Sequence, residues 1–188
     1  ALGAVRKIFA MLRDSGYVVS DPTAKLERLS LKPTEFFIPG KEEFVRIVEE
    51  IRRAPLLRKY REKSLDSPAA DMVAFLAYSG QSEDRKSGRL VWGDIGKDSI
   101  SVPAIKHAVK RRILYINPAL RNVIERMKKT NNNLTATSPV FVIENPRKAL
   151  TNACVRLGLP HVRVHDLRHF FATTCIEQGV DIPTVAKW

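Results

Sequence analysis

A mainly helical α+β fold, with helices around a small three-stranded antiparallel sheet, is the architecture this sequence predicts. Three observations carry it. Apolar residues recur at helical spacing through most of the chain, short strand-like runs fall together between residues 89 and 116, and Gly or Pro stands at most of the boundaries between them.

The elements follow in order. Leu2, Val5, Phe9 and Leu12 keep helical spacing, and Gly16 follows where such a helix ends. From Asp21-Pro22-Thr23-Ala24 through Pro33 to Pro39-Gly40 the chain reads as loop and linker. Residues 1–20 are therefore expected to be the C-terminal helix of a preceding domain, 21–40 a linker, and 41–188 a second domain that is incomplete at its C-terminus. After Gly40 a helix carries Phe44, Ile47, Val48 and Ile51 on one face, with Glu42 and Glu43 near its positive end. The next begins at Ser67-Pro68, a cap followed by a first-turn proline, and brings Met72, Val73, Phe75 and Leu76 toward Gly80.

Residues 89–95, 99–105 and 111–116 are the three expected strands, turned by Gly96-Lys97-Asp98 and by residues 106–110. Asn117-Pro118 opens a helix with Leu120, Val123, Ile124 and Met127 inward. Residues 130–138 form a polar loop, and Val140 to Ile143 a short buried run. Pro146 opens a helix through Leu157 that Gly158 and Pro160 end. Asp166 to Gln178 is a helix with Gly179 as its C-cap, and Asp181-Ile182-Pro183 starts another.

With 188 residues and 44% hydrophobic residues, the chain can build one good core. Its 32 Lys and Arg against 20 Asp and Glu give a formal charge of +12 and a pI near 10.0, which makes a polyanion the leading partner. The charge is concentrated: Lys106, Lys110, Arg111, Arg112, Arg121, Arg126, Lys128 and Lys129 stand against Glu125 alone, a local field suited to a phosphate backbone. Cys154 and Cys175 are too few for a disulfide scaffold or a four-ligand zinc site, and are expected as reduced core thiols of an intracellular, cytoplasmic protein. No apolar run approaches a membrane span, and charge interrupts Leu2 to Ile8 too early for a signal peptide. From the start at Ala1 and the stop within a helical pattern at Trp188, the chain is expected to be a fragment.

The most informative stretch is Val164-His165-Asp166-Leu167-Arg168-His169-Phe170-Phe171. Residues three and four apart share a helix face, so His165, Arg168 and His169 present an imidazole, a guanidinium and a second imidazole together. Arg offers a charged fork that fits phosphate oxygens, and His moves a proton near neutral pH. A solvated helix face is the plainer reading of the same residues. His169, one position further round, is expected first to turn toward the core and second to support a DNA contact; Phe170 and Phe171 are expected as core packing.

From Arg163-Val164-His165 through Gly179-Val180-Asp181-Ile182-Pro183-Thr184-Val185-Ala186-Lys187-Trp188, the chain closely resembles the box II region of tyrosine recombinases, the phage-integrase family. The resemblance implies that His165 and Arg168 contact the scissile phosphate. The segment from Ala104 to Leu120 resembles the family's β-hairpin, which implies that Lys106 is the general acid at the leaving oxygen. Lys110, Arg111 and Arg112 are expected to touch backbone phosphates without doing chemistry, with His169 as a further DNA contact. A solvated hairpin lysine is the alternative for Lys106.

Leu76-Ala77-Tyr78-Ser79-Gly80 and Leu90-Val91-Trp92-Gly93-Asp94-Ile95 resemble the two ends of box I. Where the family has an arginine just after the glycine, this chain has Gln81-Ser82, so Arg85 takes the role only in a shifted register, with Arg89 as second candidate. Asp21-Pro22 resembles the element that closes the family's core-binding domain. The resemblance places the nucleophilic tyrosine beyond Trp188, and Tyr17, Tyr60, Tyr78 and Tyr115 are expected as packing. It further implies a catalytic domain that cuts and rejoins double-stranded DNA through a 3′-phosphotyrosine, with no metal, cofactor or energy source, and that self-associates as a tetramer on DNA. Two other readings use the same residues: a helix-turn-helix regulator built on Ala172 to Ala186, and a degenerate recombinase that keeps fold and DNA affinity only.

Overall fold

The computed structural model describes residues 2–26, 37–54, 67–81, 90–102, 112–130 and 133–187. The chain divides into two compact units, Ala1–Glu35 and Phe36–Trp188. In the first, α1 (Leu2–Asp14) buries none of its residues and exposes Val5, Ile8 and Met11. Behind it, Asp21 accepts hydrogen bonds from the backbone N–H of Thr23 at 2.8 Å and from its hydroxyl at 2.7 Å. The Thr23 hydroxyl, then its N–H, hold the Asp21 carboxyl below its ordinary pKa.

The second unit is built on α3 (Pro68–Ser79), which packs against α2 (Lys41–Arg53), α4 (Pro118–Thr130), α5 (Arg147–Leu157) and α6 (Asp166–Glu177). A helix with neighbours on so many sides has no solvent face, and α3 is accordingly apolar almost all round. The surrounding helices are one-faced. Phe44, Ile47, Val48 and Ile51 of α2, and Leu120, Val123, Ile124 and Met127 of α4, are the buried residues that periodicity predicts. The exception on α3 is Asp71, 6% exposed, whose Oδ1 accepts from Arg52 of α2 at 3.3 Å and from Arg126 of α4 at 2.9 Å. A carboxylate this deep is tolerable because cations from two helices meet it.

Among the described residues the sheet has two strands, not three: β1 (Ser99–Val102) pairs antiparallel with β2 (Arg112–Tyr115), Ser99 opposite Tyr115. The expected first strand is replaced by a 3₁₀ turn at Trp92–Asp94 between two single bridges, Val91 to Pro139 and Ile95 to Ile100. Its backbone is spent on the polar loop instead, with Trp92 N–H donating to Ser138 at 3.0 Å and Gly93 N–H to Ala136 at 2.8 Å. Of the short run Val140 to Ile143, only Val140 and Phe141 are buried, and Val142 faces out. The packing expectation also fails for two tyrosines, since Tyr17 is 80% and Tyr115 71% exposed; Tyr60 lies outside the described residues. Short α7 (Ile182–Lys187) closes on α6 after a turn at Gly179. Cys154 and Cys175 are free, and burial raises both thiols. No helix among the described residues is long and apolar enough to cross a membrane.

Candidate active site

The site begins with how α6 is started. Arg163, three residues before Asp166, donates its backbone N–H to Asp166 Oδ2 at 2.8 Å, its Nε at 3.0 Å and its Nη2 to Oδ1 at 2.8 Å. Asp166 is 1% exposed. Burial by itself acts to raise its carboxyl, but the side-chain and backbone hydrogen bonds and charge of Arg163 outweigh it and hold the pKa below the ordinary value. A carboxylate in the first turn also suits the positive end of the helix. The approach loop and the helix start are thereby locked together.

His165 stands at the N-cap with helical dihedrals, φ −65° and ψ −30°. It is exposed, as is His169, and the two rings meet edge to face with centroids 5.2 Å apart. His169 therefore does not turn into the core. The inward position goes to Phe170, which stacks on Phe44 at 4.5 Å.

Arg168 is half-buried and crosses to α3, where its Nη1 donates to the carbonyl of Gly80 at 2.6 Å. The last carbonyls of a helix have no partner within it and carry its negative end, which makes them natural acceptors for a cation. A second one is met nearby: Asn117 donates Nδ2 to the Tyr78 carbonyl at 2.8 Å, while its Oδ1 caps α4 through Leu120 N–H at 2.8 Å. The C-terminus of α3 is thus the point on which α4 and α6 converge. Tyr78 packs edge-on against Phe44 at 5.6 Å, and burial raises its phenol.

Arg112, on β2, is half-buried. Burial first, and then the positive charge of Arg168, lower its pKa, so the two guanidiniums feel one another. Among the described residues neither has a carboxylate partner. Two cations that feel one another, with no carboxylate partner among the described residues, are suited to an anion.

Other members of the linear basic cluster are committed elsewhere. Arg121 pairs with Asp98 at 2.9 Å, Arg126 with Asp71 at 2.7 Å, and Lys128 lies 5.8 Å from the centre of the Trp92 ring. The charge available to a phosphate backbone is smaller than the sequence count of that segment. Arg85, Arg89, Lys106, Lys110 and Arg111 lie outside the described residues. Gln81, directly after Gly80, is 5% exposed, and its Oε1 has no hydrogen-bond partner among the described residues. Beside these residues an open cavity of about 620 Å³ runs between α2, the β2–α4 junction and α6, lined by Phe44, Tyr78, Ile116, Phe171 and Cys175.

Two features escape the sequence reading. The Arg163–Asp166 lock carries a visible i,i+3 signal, whereas the Gly80 carbonyl is 88 residues from the arginine it receives and has none.

The fold is similar to that of the Tn1549 transposon integrase solved with a circular intermediate DNA, with a TM-score of 0.72 and 13% identity over 99% of this chain and 68% of that one. It is similar to a lambda integrase tetramer bound to a Holliday junction (TM-score 0.73, 14% identity, 99% of this chain and 55% of that one) and to XerA recombinase (0.61, 19%, 82% and 56%). The chain spans between about half and two thirds of those structures. No protein-family model and no curated protein sequence matches it.

Proposed function

We propose that this chain, which has the fold of DNA integrases and site-specific recombinases, is the catalytic part of a tyrosine recombinase, acting on double-stranded DNA. The observation that carries the reading is Arg168, with one arm on a neutral carbonyl and its charge unspent, close enough to Arg112 to be felt, at the helix turn that exposes His165.

In this reading Arg168 faces the non-bridging oxygens of the scissile phosphate and stabilises the charge that grows on them during attack, while Arg112 holds the DNA backbone beside it. His165 donates a hydrogen bond to the same group. A tyrosine hydroxyl, placed by the family resemblance after the α6–α7 region, attacks phosphorus as its proton passes to solvent. The 3′-phosphotyrosine bond forms as the bond to the 5′ oxygen breaks, and that oxygen takes a proton from Lys106. Reversal with a new 5′ hydroxyl rejoins the strand. Arg85 is the candidate for the first box I arginine, and Lys110, Arg111 and His169 for DNA contacts outside the chemistry. Residues 1–20 would then end a core-binding domain, 21–40 form a linker and 41–188 the catalytic domain, with synapsis by self-association on DNA as in the lambda integrase tetramer.

The test is incubation of the full-length protein with a nicked suicide substrate followed by a denaturing gel. A covalent protein–DNA band is expected, with binding that weakens steeply with salt. Binding without a band at any protein concentration would favour the regulator or degenerate reading.

A further inference from the structure

We infer that Phe171 is a positioning residue for Arg168, acting through the backbone of Gly80; the part of this that concerns catalysis rests on the recombinase reading. Phe171 follows Arg168 by three positions on α6, so both project onto the end of α3. Gly80 caps that helix at φ 64°, in the left-handed region that favours glycine. The Phe171 ring lies where a side chain at position 80 would stand. A Cβ built there would be 2.8 Å from Cε1 and 3.0 Å from Cγ of Phe171, and nearer still to Cδ1. The ring thus fills the space into which a side chain at position 80 would project, and the carbonyl of the same glycine is the one that receives Arg168 Nη1 at 2.6 Å.

The consequence is a three-part clamp. The ring packs beside the glycine, the left-handed turn aims the carbonyl, and the carbonyl receives one arm of the guanidinium. Positioning of this kind matters because Arg168 has no carboxylate among the described residues to orient it, and a guanidinium on a long side chain otherwise samples many rotamers. The small residue at 80 serves the approach of the ring as well as the helix cap. Burial alone does not account for Phe171, which is half-buried and borders the open cavity while Phe170 fills the core.

The experiment compares Phe171→Leu, which keeps apolar bulk but loses the flat ring, with Phe171→Tyr, which keeps the ring. Gly80→Ala is the stronger disruption but risks misfolding, so the decision rests on the Phe171 pair, each first checked by its melting curve. The primary readout is the guanidinium NMR signal of Arg168, assigned with Arg168→Lys. Separate Nη signals, reporting hindered rotation, are expected in the parent and in Phe171→Tyr, and a merged signal in Phe171→Leu. The second readout is single-turnover cleavage of the nicked substrate by the full-length protein. Phe171→Leu should slow it on the order of 10- to 100-fold, with DNA affinity unchanged within about twofold and Phe171→Tyr near the parent. Separate Nη signals persisting in Phe171→Leu would overturn the inference, as would parental cleavage in a variant whose signals have merged. Should the parent form no covalent product, the recombinase reading fails and the NMR comparison alone decides the clamp.

Discussion

Of the arginines that reach α3 from neighbouring helices, Arg126 and Arg168 end on different chemistry. Arg126 of α4 meets the buried carboxylate of Asp71, where Arg52 also arrives, and its charge is spent there. Arg168 of α6 meets the peptide carbonyl of Gly80, a dipole at the negative end of the same helix. Both contacts hold helices together. The first pairs a cation with a carboxylate, whereas the second orients one on a neutral dipole with no carboxylate partner among the described residues. The partner of an arginine, more than its exposure, therefore separates a structural cation from one able to serve a phosphate.

The sharpest way to break the comparison is to truncate each. Arg168→Ala in the full-length protein is expected to lower cleavage by about 10² to 10³, the usual consequence of losing an aligned donor to a developing charge, with melting temperature little changed. Arg126→Ala is expected to do the reverse. Removing one partner of a buried pair costs about 3 to 5 kcal/mol; with Arg52 still in place and Arg126 about one third exposed, about 2 kcal/mol is the expectation, with cleavage per folded molecule unchanged. Chemical denaturation and single-turnover cleavage on both variants check the pair. Equal losses of activity at equal stability would erase the distinction.

A smaller effect sharpens it in binding. Each phosphate neutralised adds about −0.9 to the slope of log affinity against log salt. Arg112→Gln should flatten that slope by about one such step, since Arg112 has no carboxylate among the described residues. Arg126→Gln should leave it unchanged. A flatter slope for Arg126→Gln, measured on a folded variant, would mean that Asp71 does not hold that charge in the complex.

What was legible in the sequence was what is local. The inward faces of α2 and α4 follow from spacing within a few residues, and so does the placing of His165, Arg168 and His169 around one helical turn. What failed depends on distant partners. The run 89–95 has strand-like residues, but the N–H groups of Trp92 and Gly93 go to Ser138 and Ala136 and those of Asp94 and Ile95 turn back on Val91 and Trp92, so among the described residues only single bridges form. The basic stretch after residue 106 looked like one uninterrupted surface because nothing in a linear reading tells that Asp71, 55 residues earlier, claims Arg126. His169 was expected inward because a helical wheel gives angles and not neighbours. The core places were already filled by Leu167 and Phe170.

The smallest expected effect concerns a third arginine and carboxylate pair, Arg163 with Asp166, which is to the start of α6 what Arg126 with Asp71 is to the centre of α3. Here the carboxylate is as deeply buried but the arginine is half-exposed, so solvent screens the attraction and the contribution is a fraction of the Asp71 pair's. Its sign is still fixed. The folded-state pKa of Asp166 is lowered below the ordinary aspartate value: burial opposes this, but the Arg163 hydrogen bonds and charge prevail. The folded protein therefore resists protonation at this site more than the unfolded chain does. The stabilisation is fully present above the unfolded value and is lost as pH falls through the lower folded one. Urea unfolding followed from pH 7 down through pH 3 should show the parent losing stability in that acid window. Asp166→Asn should start lower at pH 7 and follow a flatter curve, because it has no carboxylate left to protonate at position 166. An acid dependence as steep in Asp166→Asn as in the parent would mean that Arg163 does not hold the first turn of α6 through this carboxylate, and that the turn carrying His165 and Arg168 is anchored by Gly80 alone.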